Sequence, residues 1–233
     1  ITEAEKTENR GRLKLIRWRK GKTENITLPL KVMGTYGPTA PMDCRKSKRI
    51  LDNGCKYIEK NGIGRGITGH INALALLASG EKKYLPMVRD YAHKIRVKDA
   101  YSMSSWNMSY MNIFLSEYYL LTGDKTVLPK IRHMALYLAK GQSQVGTWGH
   151  NNAGPGGILA GYGAMCQPSL SCAVSLLLNQ KCGIEETVVE QAVRKSEIFF
   201  SSFVNKGNIP YGDHSPREVH DSNGRNSLAV ILF

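Results

Sequence analysis

The sequence predicts an all-α array of helical hairpins that follows a short β-hairpin. Segments crowded with charge alternate along the chain with segments that are apolar nearly all round, so half-exposed helices should alternate with buried ones. A turn motif also recurs 43 residues later, first as Ser79-Gly80-x-Lys82-x-x-Leu85-Pro86 and then as Thr122-Gly123-x-Lys125-x-x-Leu128-Pro129. Repeated pairs of an inner and an outer helix predict a solenoid or, if the array closes, an α/α toroid.

Composition and charge limit the classes of partner. The 233 residues carry a net charge of +13, but the chain has no arginine-rich run interleaved with aromatics and no zinc-finger spacing. We therefore expect a diffuse basic surface that does not bind nucleic acid, while attraction to an anionic partner stays open. No apolar run approaches the roughly 18 residues that span a bilayer, so no membrane span is expected.

The five cysteines form no Cys-x-x-Cys pair, and none has a histidine at zinc-site spacing. Cys172 lies in an apolar helix and is expected to be a small core residue. The odd count rules out full pairing within this chain, and the cysteines do not decide the compartment. We favour a periplasmic or secreted location over a cytoplasmic one.

Residues 12–32 predict two strands joined by a turn at residues 19–22, because apolar residues alternate on either side of it. The second strand, with Ile26, Leu28, Leu30 and Val32, has the period of a half-buried strand. The hairpin as a whole, with Gly-x-Leu-x-Leu at the start of its first strand and an Arg-x-Gly turn, resembles the last two strands of a PDZ domain, although a generic hairpin fits equally well. Glycines and prolines then break the chain. We expect a hairpin domain at 1–36 and a helical domain at 37–233.

The helical domain divides into outer and inner helices. The charged segments 44–60, 82–97, 124–140 and 185–204 should each keep one face in water, whereas 70–79, 106–121 and 168–180 should be almost fully buried. The long loops 61–69, 99–104, 141–167 and 205–225 all follow an outer helix, so they should gather at one end. A closed toroid needs more helix pairs than this chain supplies. We therefore expect the remainder of the same polypeptide to complete it and to cover residues 226–233.

One stretch carries a resemblance to a known family. Tyr137-Leu138-x-x-x-Gln142-x-x-x-Gly146-x-Trp148 resembles the QW motif of the triterpene cyclases, although His133 replaces the small residue that the motif places upstream. That family has an α/α-toroid fold, and its Gln and Trp tie an outer helix to the next inner helix. The resemblance implies that Gln142 and Trp148 are structural residues and not ligands.

Two further resemblances concern the whole array. Gly64-Arg65-Gly66-Ile67-Thr68-Gly69-His70 resembles the glycine-rich helix starts of lanthionine-synthesising toroids. The hairpin together with the helices is similar to a bacterial family of PDZ-containing toroid proteins, which implies no established activity. The acidic motif of the cyclases, the zinc ligands of the prenyltransferases and lanthionine enzymes, and the thioester motif are missing. We therefore expect no metal and no cofactor, and the resemblance bears on the fold.

Polar residues on the long loops are the candidates for chemistry. Asp213 with His214, and His220 with Asp221, could form acid/base pairs or a metal site, because a carboxylate orients a neighbouring imidazole. The same residue types are also common in turns and at helix N-caps, where they need have no catalytic role. His150 is a further catalytic candidate. The residues expected to contact a ligand are His70, Trp106, Asn151, Asn152 and Tyr211.

Glu117 is the lone charge in an otherwise apolar helix. A buried carboxylate is costly unless it is paired, so Glu117 is either a cavity acid with a raised pKa or is bonded to a neighbouring helix. Trp106 starts the same helix and either stacks on a sugar or fills the core.

Two classes of function fit these observations. The first is a hydrolase or lyase that acts on a polysaccharide or other extended polar substrate in a central cavity, with Glu117 and the His/Asp loops as acid and base. The second is a non-catalytic recognition or scaffolding module that works with a peptide partner of the PDZ-like part. In both, the inner-helix N-termini, positive ends of helix dipoles, favour an anionic or polyhydroxylated ligand at one mouth.

Overall fold

The computed structural model describes residues 2–5, 8–98, 102–212 and 223–233. Within these residues the chain is mostly helical, with one two-stranded antiparallel sheet, as the sequence predicts. The strands are β1 (Arg12–Arg19) and β2 (Lys22–Pro29). The helices are α1 (Thr2–Glu5), α2 (Arg45–Asn61), α3 (Gly66–Ala78), α4 (Leu85–Lys94), α5 (Ser104–Thr122), α6 (Leu128–Lys140), α7 (Cys166–Lys181), α8 (Thr187–Ser201) and α9 (Asn223–Leu232). Not one of these helices combines the length and the apolar character needed to cross a membrane.

The chain divides into two compact units, residues 1–62 and 63–233. α2 therefore groups with the hairpin and not with the later helices. The division falls later than the boundary at residue 36 that the sequence suggests.

In the first unit, β1 and β2 pair from Arg12 opposite Pro29 to Arg19 opposite Lys22. The two residues between them, Lys20 and Gly21, both have positive φ, which matches the tight turn that hairpins favour. The expectation of a half-buried strand is wrong, because most side chains of both strands are exposed. Trp18 on β1 is 72% exposed.

The second unit has two layers of helices. α3, α5, α7 and α9 pack side by side in that order, and α6 and α8 pack behind α5 and α7. α5 and α7 are parallel, since contacts between them advance together from Ser109 with Ser171 to Ser116 with Asn179. The N-terminal ends of these two helices therefore lie at the same end of the array.

α5 and α7 meet along a polar seam, defined here as Ser109, Asn112 and Ser116 of α5 with Ser171 and Asn179 of α7. All five side chains are fully buried. Asn112 and Asn179 exchange two hydrogen bonds, of 2.7 and 3.1 Å, and the Asn179 amide also donates to Ser116 Oγ at 2.9 Å. Ser109 Oγ lies 2.9 Å from Ser171 Oγ. Small side chains let the two backbones approach closely, and the paired amides satisfy each other in a fully buried site.

The repeated turn motif forms the same structure twice. Gly80 and Gly123 both have a φ of 70°, and each is followed by a short 3-10 turn and an outer helix with proline in its first turn. Ser79 Oγ and Thr122 Oγ1 each accept a hydrogen bond from the backbone N–H two residues later. A left-handed residue is needed to end the inner helix, and glycine adopts it without strain.

Asp124 ties the second of these turns to the neighbouring outer helix. Its carboxylate accepts hydrogen bonds from Thr126 Oγ1, from His93 Nε2 on α4 and from Tyr118 on α5. These donors hold the pKa of Asp124 well below its ordinary value, the Thr126 hydroxyl most strongly. Lys130 completes the tie by donating to two carbonyls at the end of α4.

Gln142 and Trp148 hold the end of α6 in place, in agreement with a structural role. Trp148 is fully buried, and its Nε1 donates to Leu138 O in α6 at 2.9 Å while its backbone N–H donates to Ser169 Oγ in α7 at 2.8 Å. Gln142 Nε2 donates to Ala192 O in α8 at 2.8 Å. Gly146 lies so close to α8 that an added Cβ would approach Lys195 O to 2.4 Å, so no larger residue fits there.

The predicted burial of the inner helices holds for α7, in which most residues are buried, including Cys172. For α3 it is wrong, because Ile71 is 46% exposed and Ala78 is exposed as well. α5 exposes Leu121 near its end. α4, α6 and α8 each keep one face in water, as expected. Val230, Ile231 and Phe233 at the end of α9 are exposed in the structure.

We expect Asn179→Ala to lower the free energy of unfolding by about 2–3 kcal/mol, because it leaves the buried Asn112 amide without its partner. Urea unfolding followed by circular dichroism measures the change. The control is Asn107→Ala in α5, the helix that carries Asn112, which removes only exposed bonds to Ser102 O and Met103 O and should cost about 0.5–1 kcal/mol. Equal losses in the two variants would mean that the seam adds nothing beyond an ordinary surface bond.

Candidate functional site

Three rings gather where α5 begins, and we call them the Trp106 cluster: Trp106, His150 and Tyr162. Trp106 Nε1 donates to His150 Nδ1 at 3.0 Å, and the two rings lie near parallel with their centroids 6.3 Å apart. Tyr162 meets the edge of the His150 ring at 5.8 Å. Trp106 and His150 are half-buried, whereas Tyr162 is 81% exposed. The cluster is therefore an aromatic surface that a ligand can reach.

The hydrogen bond from Trp106 defines the chemical state of His150. An indole N–H can only donate, so His150 Nδ1 must accept with its lone pair. The neutral ring then carries its proton on Nε2, for which the described residues offer no partner. His150 is consequently suited to donate a hydrogen bond to a ligand oxygen. It is less suited to act as a base, because the nitrogen that could take up a proton is already engaged.

The loop around His150 caps the N-terminus of α5. Ser105 N–H donates to His150 O at 3.2 Å, and Ser104 N–H donates to Asn151 Oδ1 at 2.9 Å. Asn152 N–H in turn donates to Ser104 Oγ at 3.3 Å. Asn151 and Asn152, which the sequence suggests as ligand contacts, therefore hold the start of α5 in the structure. The positive end of the α5 dipole is occupied by the chain itself.

The N-terminus of α7 is capped in a corresponding way. Cys166 N–H donates to Tyr211 O at 2.8 Å, and Met165 forms an isolated antiparallel bridge with Gly212. Tyr211 is 45% exposed, with the guanidinium of Arg225 5.8 Å from the centre of its ring. Tyr211 thus lies at the same end of the array as His150. Asp213, His214, His220 and Asp221 lie outside the described residues.

Glu117 does not have the environment that its sequence context predicts. Its side chain is exposed and not buried, and no hydrogen bond or ion pair to it is found in the described parts of the chain. Neighbouring helices cover only part of the surface of α5. The Glu117 carboxylate lies on the face of α5 that they leave exposed to solvent. Glu117 also lies eleven residues after Trp106, or about 16 Å further along the helix axis. The structure therefore does not bring Glu117 and His150 together.

His70 lies in the core and does not line the mouth. Its ring is 3% exposed, stacks on Phe114 of α5 and places Nδ1 3.1 Å from the hydroxyl of Tyr91 on α4. Burial lowers the pKa of His70 to about 4 and raises that of Tyr91 to about 12, so both are neutral at pH 7. Nε2 of His70 is buried with no partner among the described residues.

Two site residues were missed by reasoning from the sequence. Tyr162 lies between Gly161 and Gly163 in a loop, and an exposed aromatic between two glycines is a signal that could have indicated it. Tyr110 follows Trp106 by one helical turn and is half-buried, so it extends the aromatic surface along α5. Across the described residues, no group of three or more His, Cys, Asp and Glu side chains is arranged to hold a metal.

Stability should fall as the pH drops from about 6.5 to about 4, because unfolded His70 takes up a proton that the buried ring excludes. The stabilisation is fully present above the pKa that His70 has in the unfolded chain. It is lost as the pH falls towards the pKa that His70 has in the folded protein. It amounts to on the order of 3 kcal/mol. Urea unfolding at a series of pH values should show a smaller dependence for His70→Gln than for the wild type. Gln191→Asn, on the exposed face of α8, changes no ionisable group, so it is the control and should leave the dependence unchanged.

Trp106→Phe should shift the tautomer of His150, because phenylalanine cannot donate to Nδ1. In the wild type, long-range ¹H–¹⁵N NMR is expected to show the proton of the neutral ring on Nε2. In the variant the Nδ1-protonated form should rise to a detectable fraction, while the His133 signals stay as they were. The same tautomer in both proteins would contradict the assigned hydrogen bond.

Comparison with known proteins identifies the family of this chain. No curated protein and no solved structure matches it. The profile of the family described as "Domain of unknown function (DUF6288)" matches residues 47–233, which include α3 to α9 and most of α2. Because this match spans most of the sequence, the chain belongs to the DUF6288 family.

Proposed function

We propose that the second unit belongs to an α/α-toroid domain whose open inner face binds an extended polyhydroxylated ligand. The observation that carries the proposal is the Trp106 cluster, in which an accessible aromatic surface adjoins Nε2 of His150, a donor without a partner among the described residues. Sugars combine apolar ring faces with hydroxyl oxygens, so they fit an aromatic platform with a hydrogen-bond donor at its edge.

Four features support the toroid arrangement. The inner helices α5 and α7 are parallel, the outer helices pack behind them, and the long loops meet both N-termini at one end. Gln142 and Trp148 make contacts of the kind expected from the terpenoid-cyclase-like motif. In a closed ring, the open face of the inner helices would line the central cavity.

The capping of α5 favours a neutral ligand over an anionic one. Backbone N–H groups at the start of a helix attract anions when they are free. Here the N–H groups of Ser104 and Ser105 are already bonded to Asn151 and His150. What remains available is the ring surface and the Nε2 donor, which suit hydroxyl oxygens.

A hydrolase or lyase activity would need an acid and a base beside this cluster. Glu117 is too far along α5 to act there, so the candidates are Asp213, His214, His220 and Asp221 from the sequence. Tyr211, two residues before Asp213, lies beside the start of α7, at the end of the array where the Trp106 cluster lies. This position supports the catalytic form of the proposal.

The alternative is a recognition module that engages a partner through the PDZ-like hairpin. The observation in its favour is the exposed apolar surface of β1, where Ile16 and Trp18 are 74% and 72% exposed. Exposed apolar residues close together are typical of protein interaction sites. This form needs no acid or base in the second unit.

Trp106→Ala and His150→Ala should each weaken the binding of an oligosaccharide by about five- to tenfold, because each removes a contact worth roughly 1 kcal/mol. Isothermal titration calorimetry with hexamers of β-1,4-linked glucose and of N-acetylglucosamine measures the change. Circular dichroism checks that both variants are folded.

The control is Trp18→Ala, which removes an exposed tryptophan from the other unit and should leave sugar binding unchanged. Release of reducing ends that is lost in His214→Ala or His220→Ala would establish the catalytic form. If neither hexamer bound the wild type, or if Trp106→Ala bound them as well as the wild type, the proposed site would be wrong.

A further inference from the structure

A groove lies between α3 and α5, near the C-terminal ends of both helices. It encloses about 410 Å³, which is within the range of small-molecule sites. Five of its six lining residues are aliphatic or alanine. The lining residues are Leu74, Leu77, Ala78, Ile113, Glu117 and Leu121.

The charge of this groove is opposite to that of the protein. The chain carries a net charge of +13, yet the one ionisable group that lines the groove is the Glu117 carboxylate. A carboxylate accepts hydrogen bonds and donates none. No side chain in the described residues bonds to it, so its oxygens are available to a ligand.

The helix ends add to this negative potential. Ala78 is the last residue of α3, and Leu121 is the last but one of α5. The final carbonyls of a helix carry a partial negative charge, which favours a cation near them. Several of these carbonyls, in Ala75, Leu77 and Tyr119, already accept hydrogen bonds within the chain. The Glu117 carboxylate is therefore the main negative group beside the aliphatic wall.

We propose that this groove binds an aliphatic ammonium group, with the alkyl chain against Leu74, Ile113 and Leu121 and the ammonium on Glu117. Apolar surface alone would accept any alkyl chain, whereas the carboxylate selects the cation and repels an anion. The site goes beyond the proposed function, since Glu117 lies about 16 Å along α5 from Trp106. It needs neither the rings of the cluster nor a closed toroid.

The expected affinities are modest but ordered. Each methylene that leaves water strengthens binding by about threefold to fourfold. An ion pair at an exposed carboxylate adds up to about fivefold. A six-carbon amine should therefore bind more tightly than the matching alcohol, and the matching carboxylate should bind most weakly.

The test uses the full chain and three probes of equal length: hexylamine as its ammonium salt, hexanol and hexanoate. Titrations followed by ¹H–¹⁵N NMR should give the order hexylammonium, hexanol, hexanoate, with shifts at Ile113, Glu117 and Leu121. Glu117→Gln should weaken hexylammonium binding by about fivefold and leave hexanol unchanged. Leu121→Ala should weaken both.

Glu190→Gln, on the exposed side of α8, is the matched control and should change none of these affinities. A lysine capped at both ends has a four-carbon side chain, so it is compared with butylammonium to separate the sources of the ammonium group: binding as tight as butylammonium assigns the groove to a lysine side chain, and weaker binding assigns it to a free amine. Hexanoate binding as tightly as hexylammonium, or Glu117→Gln without effect, would overturn the proposal. Trp106→Ala leaves amine binding intact, so failure here is separate from failure of the sugar site.

Discussion

The hydrogen-bonded pairing of Asn112 with Asn179 is the constraint on which the second unit depends. Two amides that are fully buried can satisfy each other only when α5 and α7 hold one register, because a shift by one residue would leave both without partners. The serines around them keep the two helices close. Trp106 lies on α5, and the loop that carries His150 is held to α7 by the hydrogen bond from Trp148 N–H to Ser169 Oγ. The register between α5 and α7 therefore determines whether Trp106 and His150 meet.

This polar contact explains how helices that pack mainly through apolar side chains can still adopt a single alignment. Aliphatic packing tolerates sliding between helices, whereas a buried amide pair penalises each misaligned arrangement by the cost of desolvated polar atoms. The outer helices need less of this control, because short turns such as the one after Gly123 tie α6 directly to α5. Asp124 and Lys130 then fix α6 against the end of α4.

Much of this architecture could be predicted from the sequence, because turns and alternation of charge are local signals. Gly80 and Gly123 indicate identical turns, and the charged segments indicate the outer layer. The environment of Glu117 could not be predicted in the same way, since an apolar composition does not tell which face of a helix its neighbours cover. The hydrogen bond between Trp106 and His150 could not be predicted either, because it forms only when a loop folds back over an earlier helix.

The capping of α5 and α7 has a consequence for synthesis of the chain on the ribosome. Ser105 receives its hydrogen-bond partner from His150, and Cys166 receives its partner from Tyr211, in each case from the loop one repeat further along the chain. An inner helix is therefore left with bare N–H groups until its own outer helix and the loop that follows it have emerged from the exit tunnel. Folding should advance in steps of one repeat, with the loop after each helix pair completing the inner helix of that pair. A pause within a repeat would hold the preceding helix in an incomplete state.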